Sequence, residues 1–252
     1  MASFLASYRN EWDKLISRKK YIVFIFIGVG LCLVWTALGQ LLSNFARQRI
    51  DFSMTLAPTP MGVLPFFLQF LIPFLMFMGI TDLVTVEGAE NTMKAMIYRP
   101  VERWKLFTSK IIAVVTYAAV YLASLFVIST MLNQFFGRSL SVNDLLVALA
   151  SYALTLIPLA ILASYAAVIS LLGRSGTLVM FILLVSYLAL SALPIIYPVL
   201  SEMLFTSYLS WYRLWIGALP GATKLIHMVL IVFAYGAVFF TAGSLLFDRK
   251  GY

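Results

Sequence analysis

Long apolar runs, separated by short polar connections, dominate the pattern of the chain. Six of these runs are about 20 residues or longer, the length that lets a helix cross a hydrocarbon core of about 30 Å. Within lipid, backbone N–H and C=O groups must bond inside the segment, so such runs are helices. The predicted spans are residues 21–42, 63–83, 106–132, 145–172, 178–198 and 225–247. The pattern predicts an all-α polytopic membrane protein, folded as one transmembrane domain over residues 1–252.

Two amphipathic segments accompany the spans. Residues 3–19 predict an N-terminal helix in the membrane interface, because apolar residues recur there at helical spacing: Leu5, Tyr8, Trp12, Leu15 and Ile16. Residues 199–222, before the last span, repeat aromatic residues at helical spacing until Pro220 and Gly221. This second pattern predicts short helices at head-group level.

The composition agrees with a membrane protein and the charge distribution predicts its orientation. Of the 252 residues, 62% are hydrophobic and 11% are charged, whereas roughly a quarter of the residues of a soluble domain are charged. Thirteen of the eighteen lysines and arginines lie on the side of the predicted bundle that holds both termini and residues 84–105. Cytoplasmic loops are enriched in these cations. We therefore expect a plasma-membrane protein with both termini in the cytoplasm and residues 199–222 outside, and the net charge of +8 does not indicate a nucleic-acid partner.

Groups able to carry catalysis are sparse. His227 is the only histidine and Cys32 the only cysteine, so the sequence predicts no metal site of the usual His and Cys type. Ser175 and His227 fall at opposite ends of predicted spans, far beyond the ~3 Å that a nucleophile and its base require. A phosphate-binding loop of the form G-x-x-x-x-G-K-[ST] does not occur. We expect no catalytic site in this chain, so that any ATP-driven work comes from a partner.

Polar and aromatic residues inside the spans suggest a pairing and a pathway. Asp82 is expected to pair with Lys110 in a structural role rather than to relay protons, and Lys110 is expected to reach the membrane surface. An aromatic stripe on the second span, extended on the fifth, is either packing or the wall of a route for hydrophobic or amphipathic cargo. Its residues are Phe66, Gln69, Phe70, Phe74, Phe77, Tyr187 and Ser191.

The polar stretch from Glu87 to Lys110 separates the second and third spans and carries five cations and three acids. Met93, Met96 and Ile97 give it a broken apolar face, and adaptable methionine side chains suit docking into a groove. Pro100 ends one helix and can start the next. A helix resting on lipid head groups would show the same features.

This stretch resembles the corresponding segment in the permease subunits of type-2 ABC exporters. The matching residues are Glu87, the run Glu90-Asn91-Thr92-Met93, the run Tyr98-Arg99-Pro100-Val101-Glu102-Arg103-Trp104-Lys105, and Lys110. Asn91-Thr92 stands where glycine-threonine is usual in the family. The layout is similar over the whole chain, with an amphipathic first helix, six spans, and paired short helices before the last span.

The resemblance implies a bacterial half-transporter permease that dimerises in the lipid bilayer with a second copy of itself or with a paralogous permease. Two copies of a separate ATP-binding subunit would drive the dimer, with ATP and Mg held by that partner and no cofactor in this chain. Residues 88–99 would be the coupling helix. The residues implied in ATPase coupling are Glu87, Glu90, Thr92, Met93, Met96, Ile97, Arg99, Pro100, Arg103, Gly173, Arg174 and Ser175, and those implied in an external gate are Tyr208, Trp211 and Trp215.

The expected function is export of hydrophobic or amphipathic cargo, an antimicrobial or toxin peptide or a drug, by alternating access. An ion-coupled secondary transporter is one alternative, but it would need carboxylates in the spans, and only Asp82 qualifies. A membrane scaffold that transports nothing is the other alternative. It would explain the loops but not the coupling-type stretch.

Overall fold

The computed structural model describes residues 2–46, 59–89, 102–136, 141–215 and 221–249, and these are almost entirely helical. Six helices are long and apolar enough to cross a membrane, which confirms the predicted all-α class and the six apolar helices. The helices are α1 (Ala2–Ser17), α2 (Lys19–Ala46), α3 (Pro60–Val86), α4 (Arg103–Phe135), α5 (Val142–Leu172), α6 (Gly176–Ile196) and α7 (Ala222–Arg249). Two 3₁₀ segments, Pro198–Glu202 and Phe205–Trp215, lie between α6 and α7.

Capping residues explain where two of the long helices begin. Thr59 accepts a hydrogen bond from the Gly62 backbone N–H, and Pro60 occupies the first turn of α3, where its missing N–H costs nothing. Ser141 caps α5 in a capping box with Asp144, which satisfies two otherwise unpaired N–H groups. Both helices therefore start three residues before the predicted spans. The long helices extend up to four residues beyond those spans, except that α6 ends two residues short, at Ile196.

Helix α3 forms the centre of the bundle and is the least regular of the long helices. It is the most buried of the six apolar helices and packs against α4, α5 and α6. Its α-helical hydrogen bonding widens to π-helical turns at Phe67–Leu71 and Asp82–Val86. The first widened turn lies between Pro65 and Pro73, and such turns are frequent at functional sites.

Side-chain contacts define the two ends of the bundle. At the first, the end of α3 meets the starts of α2 and α6, and Arg103 of α4 donates a hydrogen bond to the Asp248 carbonyl oxygen of α7 at 2.6 Å. We call this the Glu87 end. At the opposite end, named the Pro60 end, Tyr152 of α5 donates to the Pro60 carbonyl oxygen at 2.9 Å. Segments near both chain termini thus lie at the Glu87 end.

The contact between α2 and α4 leaves no room for a side chain at Gly28. A Cβ atom there would lie 2.0 Å from the Tyr121 hydroxyl oxygen, whereas at Gly30 it would meet nothing within 4 Å. Tyr121 is fully buried, so overpacking is expected to cost Gly28→Ala about 1–3 kcal/mol. We expect its melting temperature in detergent to fall by about 2–12 °C.

Gly30→Ala is the matched control on the same helix, and alanine there is expected to leave the melting temperature unchanged or to raise it, because alanine favours helices. Adding Tyr121→Leu to Gly28→Ala removes the ring and should recover part of the loss. Equal melting temperatures for the two alanine variants would contradict this account of the α2–α4 contact.

Candidate functional site

Four charged side chains form a closed ring at the Glu87 end. Lys110 Nζ lies 2.9 Å from Glu11 Oε2 and 2.7 Å from Glu87 Oε2. Lys14 Nζ lies 2.8 Å from Glu87 Oε1 and 3.3 Å from Glu11 Oε1. Each carboxylate therefore bridges both ammonium groups, and we call Glu11, Lys14, Glu87 and Lys110 the charge ring.

The charge ring is electrically neutral, and its members are buried except Lys14, whose side chain is 27% exposed. The Lys110 and Glu11 side chains are each 1% exposed, and a buried charge without a partner is costly. Burial raises the pKa of Glu87, but the charges and hydrogen bonds of Lys110 and Lys14 outweigh it and hold the pKa below its ordinary value. The ring ties α1 and α4 to the residue that directly follows α3.

The sequence reasoning missed Glu11 and Lys14. One signal for Glu11 was available, since it lies on the same helical face as Tyr8, Trp12 and Leu15, where an acid is out of place. The structure packs this face on α4: Leu15 is buried, and the Tyr8 hydroxyl lies 3.2 Å from the Thr116 Oγ1. Helix α1 thus packs against α4, in addition to its expected position at the membrane interface.

Asp82 does not pair with Lys110, so that prediction is wrong. Asp82 forms ion pairs with Arg18, at 2.9 Å, and with Lys20, and it accepts a 2.6 Å hydrogen bond from the Tyr21 hydroxyl. The reason is helical phase, because Asp82 faces α2 while Glu87, five residues later, faces α1 and α4. Lys110 also does not reach the surface as predicted, since the two carboxylates hold it inside.

Most of the predicted coupling residues lie outside the described residues: Glu90, Thr92, Met93, Met96, Ile97, Arg99 and Pro100. The flanking residues are described. Glu87 belongs to the charge ring, and Arg103 begins α4 with its contact to Asp248. Glu102, just before α4, accepts from the Trp104 indole and pairs with Lys105. The undescribed segment is therefore bounded by residues with defined contacts on both sides.

The other residues implied in ATPase coupling, Gly173 to Ser175, form the short connection between α5 and α6. A Cβ at Gly173 would lie 2.0 Å from Val179 Cγ2, so the connection needs glycine there, while Arg174 is exposed. Just after it, a Cβ at Gly176 would lie 3.0 Å from Val86 Cγ2, and the Thr85 hydroxyl donates to the Ser170 carbonyl oxygen at 2.9 Å. The structure thus brings this connection to the end of α3, beside Glu87.

A cavity of about 260 Å³ lies near the Pro60 end, between α3, α6 and the second 3₁₀ segment. Gln69, Tyr187 and Ser191, predicted on two separate spans, line it together with Pro194. Pro73 lacks an N–H and cannot bond the Gln69 carbonyl four residues earlier. The Tyr187 hydroxyl donates to that carbonyl instead, at 2.9 Å, and joins α6 to the irregular turn of α3.

The phenylalanines of the predicted stripe are not in this cavity. Phe66 stacks on Trp35 with ring centres 4.7 Å apart, Phe74 packs on Phe24, and Phe77 meets the Tyr187 ring edge to face. Only Phe70 of the stripe phenylalanines is mostly exposed, at 56%. These contacts favour packing for the other three.

The predicted gate residues lie in the second 3₁₀ segment rather than in an α-helix. A 3₁₀ helix has three residues per turn, so every third side chain lies in one row. Tyr208 and Trp211 share a buried row with Phe205, and the side chain of Trp215 is outside the described residues. The Tyr208 and Trp211 rings are buried, so they pack against the protein rather than facing lipid.

Among the residues that the structure describes, no three His, Cys, Asp or Glu side chains group closely enough to hold a metal ion. The geometry therefore offers two features, a charge ring at one end and a polar cavity at the other, joined by α3. A family model described as "ABC-2 family transporter protein" matches residues 8–190 of the chain. No curated protein matches the sequence significantly.

Proposed function

This chain belongs to the ABC-2 transporter family, and we propose from this that it is the permease subunit of an ATP-driven exporter. Permeases of this kind are membrane components, and a separate subunit handles ATP. The six apolar helices make it a multi-pass membrane protein. We propose that it dimerises, binds two copies of the ATP-binding subunit, and moves hydrophobic or amphipathic cargo, such as a peptide or a drug, out of the cell.

The charge ring is the observation that carries this proposal. It fixes the end of α3 to α1 and α4 immediately before residues 88–99, the proposed coupling helix. A displacement of that helix by an ATPase would then be transmitted to α1, α3 and α4 together, because the ring is largely buried and its geometry is closed. Residues 173–175, beside the same end, are the proposed second contact.

The orientation follows from the proposal. We place the Glu87 end in the cytoplasm, where the ATPase is, in agreement with the excess of lysine and arginine on that side. The cavity at the Pro60 end then faces outward, with Tyr208, Trp211 and Trp215 as the proposed gate region. Asp82 already pairs with two cations, which disfavours an ion-coupled mechanism through this carboxylate.

Affinity purification tests the proposal most directly. The tagged full chain, extracted from its native membranes in mild detergent, is expected to bring down an ATP-binding subunit in a one-to-one ratio, and the sample should hydrolyse ATP. An unrelated tagged membrane protein from the same cells serves as the control. A chain that is intact and folded but yields neither a nucleotide-binding subunit nor ATPase activity, even after cross-linking in the membrane, would falsify the proposal.

A further inference from the structure

The 3₁₀ segment at the Pro60 end aligns a polar row that no α-helix would align. Ser207, Ser210 and Arg213 follow one another at intervals of three residues, and all three line the cavity. In a helix with three residues per turn they stand directly above one another. The adjoining rows pack inward, since Tyr208 and Trp211 are buried on one side and Leu209 and Tyr212 on the other. The packing of these two rows therefore fixes the position of the polar row.

Hydroxyl groups from the facing helices complete the cavity. Tyr187 and Ser191 of α6 line its wall, and Thr206 of the 3₁₀ segment donates to the Leu190 carbonyl oxygen at 3.2 Å. Arg213 is the only charged residue in the described lining, and it points its Nε to the Tyr212 hydroxyl at 3.5 Å. The described lining thus carries one positive charge and no carboxylate. The Ser191 and Ser207 hydroxyl groups also line the cavity, while the hydroxyl groups of Tyr187, Thr206 and Ser210 already donate to backbone carbonyl oxygens.

This chemistry suits an anion with several oxygen acceptors. Arginine and hydroxyl groups hydrogen-bond phosphate and carboxylate oxygens, whereas the Arg213 charge repels a cationic group. The cavity also reaches the depth of the apolar part of the span. Gln69, which lines it, lies nine residues from Pro60, or about 14 Å along a helix.

The size of the cavity limits what fits inside. Pockets for whole drug-sized molecules measure about 300–1,000 Å³, while this one measures about 260 Å³. A head group fits, and the rest of the molecule must extend outside. Beside the polar face of α6, an apolar stripe of Phe181, Val185 and Leu188 is largely exposed, which gives an alkyl or other apolar portion a compatible surface.

We infer that this cavity binds the anionic head group, a phosphate or carboxylate, of an amphipathic cargo whose apolar portion stays in the membrane. That the bound molecule is exported rests on the proposed function, but the binding itself does not require the ATPase. It narrows the proposed cargo class, because a strongly cationic peptide is disfavoured by the Arg213 charge.

Binding of simple amphiphiles tests the inference without a partner subunit. The purified full chain in nanodiscs of phosphatidylcholine is titrated, below micelle formation, with radiolabelled dodecyl phosphate, dodecyltrimethylammonium or inorganic phosphate. We expect dodecyl phosphate to bind at least about 10-fold more tightly than the cation, as one charge-assisted hydrogen bond predicts. Inorganic phosphate should bind more weakly than dodecyl phosphate, because it lacks the apolar portion.

Charge-matched variants locate the binding. Arg213→Gln is expected to weaken dodecyl phosphate binding about 10-fold, Arg213→Lys to retain most of it, and Ser207→Ala to lose about 2- to 5-fold. Arg9→Gln removes an equal charge from an exposed position on α1 and should change nothing. Nanodiscs that contain anionic phosphatidylglycerol distinguish the source of the head group: competition by this lipid shows that membrane phospholipid itself enters the cavity.

The results separate this inference from the proposed function. Equal binding of the anionic and cationic amphiphiles, or an unchanged preference in Arg213→Gln, overturns the head-group site whether or not an ATPase co-purifies. Binding of inorganic phosphate as tight as that of dodecyl phosphate also overturns it, since the apolar portion would then contribute nothing. Selective, Arg213-dependent binding in a chain that associates with no ATPase would support the site and count against the exporter.

Discussion

Replacing Lys110 with methionine is expected to be the most damaging single substitution described for this fold. Methionine fills a similar volume but leaves Glu11 and Glu87, 1% and 6% exposed at their side chains, with Lys14 as their only shared cation in the charge ring. Removing one partner from a buried ion pair typically costs about 3–5 kcal/mol. We expect the melting temperature of the purified chain to fall by about 6–20 °C.

The control is Lys105→Met on the same helix, five residues earlier. Lys105 pairs with the exposed Glu102, and exposed ion pairs contribute little, so this variant should melt within about 2 °C of the wild type. Adding Glu11→Gln and Glu87→Gln to Lys110→Met removes the excess negative charge and should recover part of the loss. If Lys110→Met and Lys105→Met melted alike, the ring would not stabilise the α1–α3–α4 junction.

The pH dependence gives this prediction a signature that packing alone would not produce. In the wild type the pKa of Glu87 is lowered. Its contribution to the stability of the fold is therefore present above the unfolded pKa of about 4.5 and is lost only as the pH falls below that value. Without Lys110, we expect burial and the neighbouring Glu11 carboxylate to outweigh Lys14 and to raise the pKa of Glu87. Folding then favours the protonated carboxyl, and the melting temperature of Lys110→Met should rise as the pH falls from 8 to 5. In the wild type, Glu87 should cause no change in melting temperature over this range.

The helices were predictable from the sequence because membrane crossing imposes a length and an apolar composition on each one separately. The charge ring was not predictable in this way, because it depends on the meeting of residues 11, 87 and 110 from three elements. The sequence predicts instead a pair between Lys110 and Asp82, because Asp82 is the only charged residue in the second apolar run. The helical phase of α3 instead directs Asp82 to α2.

The cavity was predicted in part for a similar reason. Gln69 is predicted because it adjoins the aromatic stripe of the second span, and Tyr187 and Ser191 as a further candidate on the fifth. The structure brings all three to one cavity. Ser207, Ser210 and Arg213 were missed because residues 199–222 were interpreted with a period of 3.6. A period of three would have placed these residues in one row, but aromatic side chains dominate the segment and obscure that polar pattern.

Placing a glutamate at position 97 is expected to abolish export while leaving the permease folded. In the proposed coupling helix, residues 88–99, Ile97 shares an apolar face with Met93 and Met96, and a carboxylate there would have to be buried unpaired in the ATPase groove. We expect transport by Ile97→Glu, and equally by Met96→Glu, to fall at least about 100-fold, because an unpaired buried charge costs several kcal/mol. Cargo efflux from cells and ATPase activity of the purified assembly measure the effect.

Ala95→Glu is the matched control, since it adds the same charge on the opposite side of a helix with 3.6 residues per turn. It should retain the ATPase partner and most of the transport. The charge ring makes the comparison sharper, because it holds Glu87 to α1 and α4 and should keep the melting temperature of all three glutamate variants near that of the wild type. Loss of transport in the face variants alone, without loss of stability, separates a broken docking surface from a broken fold, whereas equal transport by Ile97→Glu and Ala95→Glu would remove residues 88–99 from the coupling pathway.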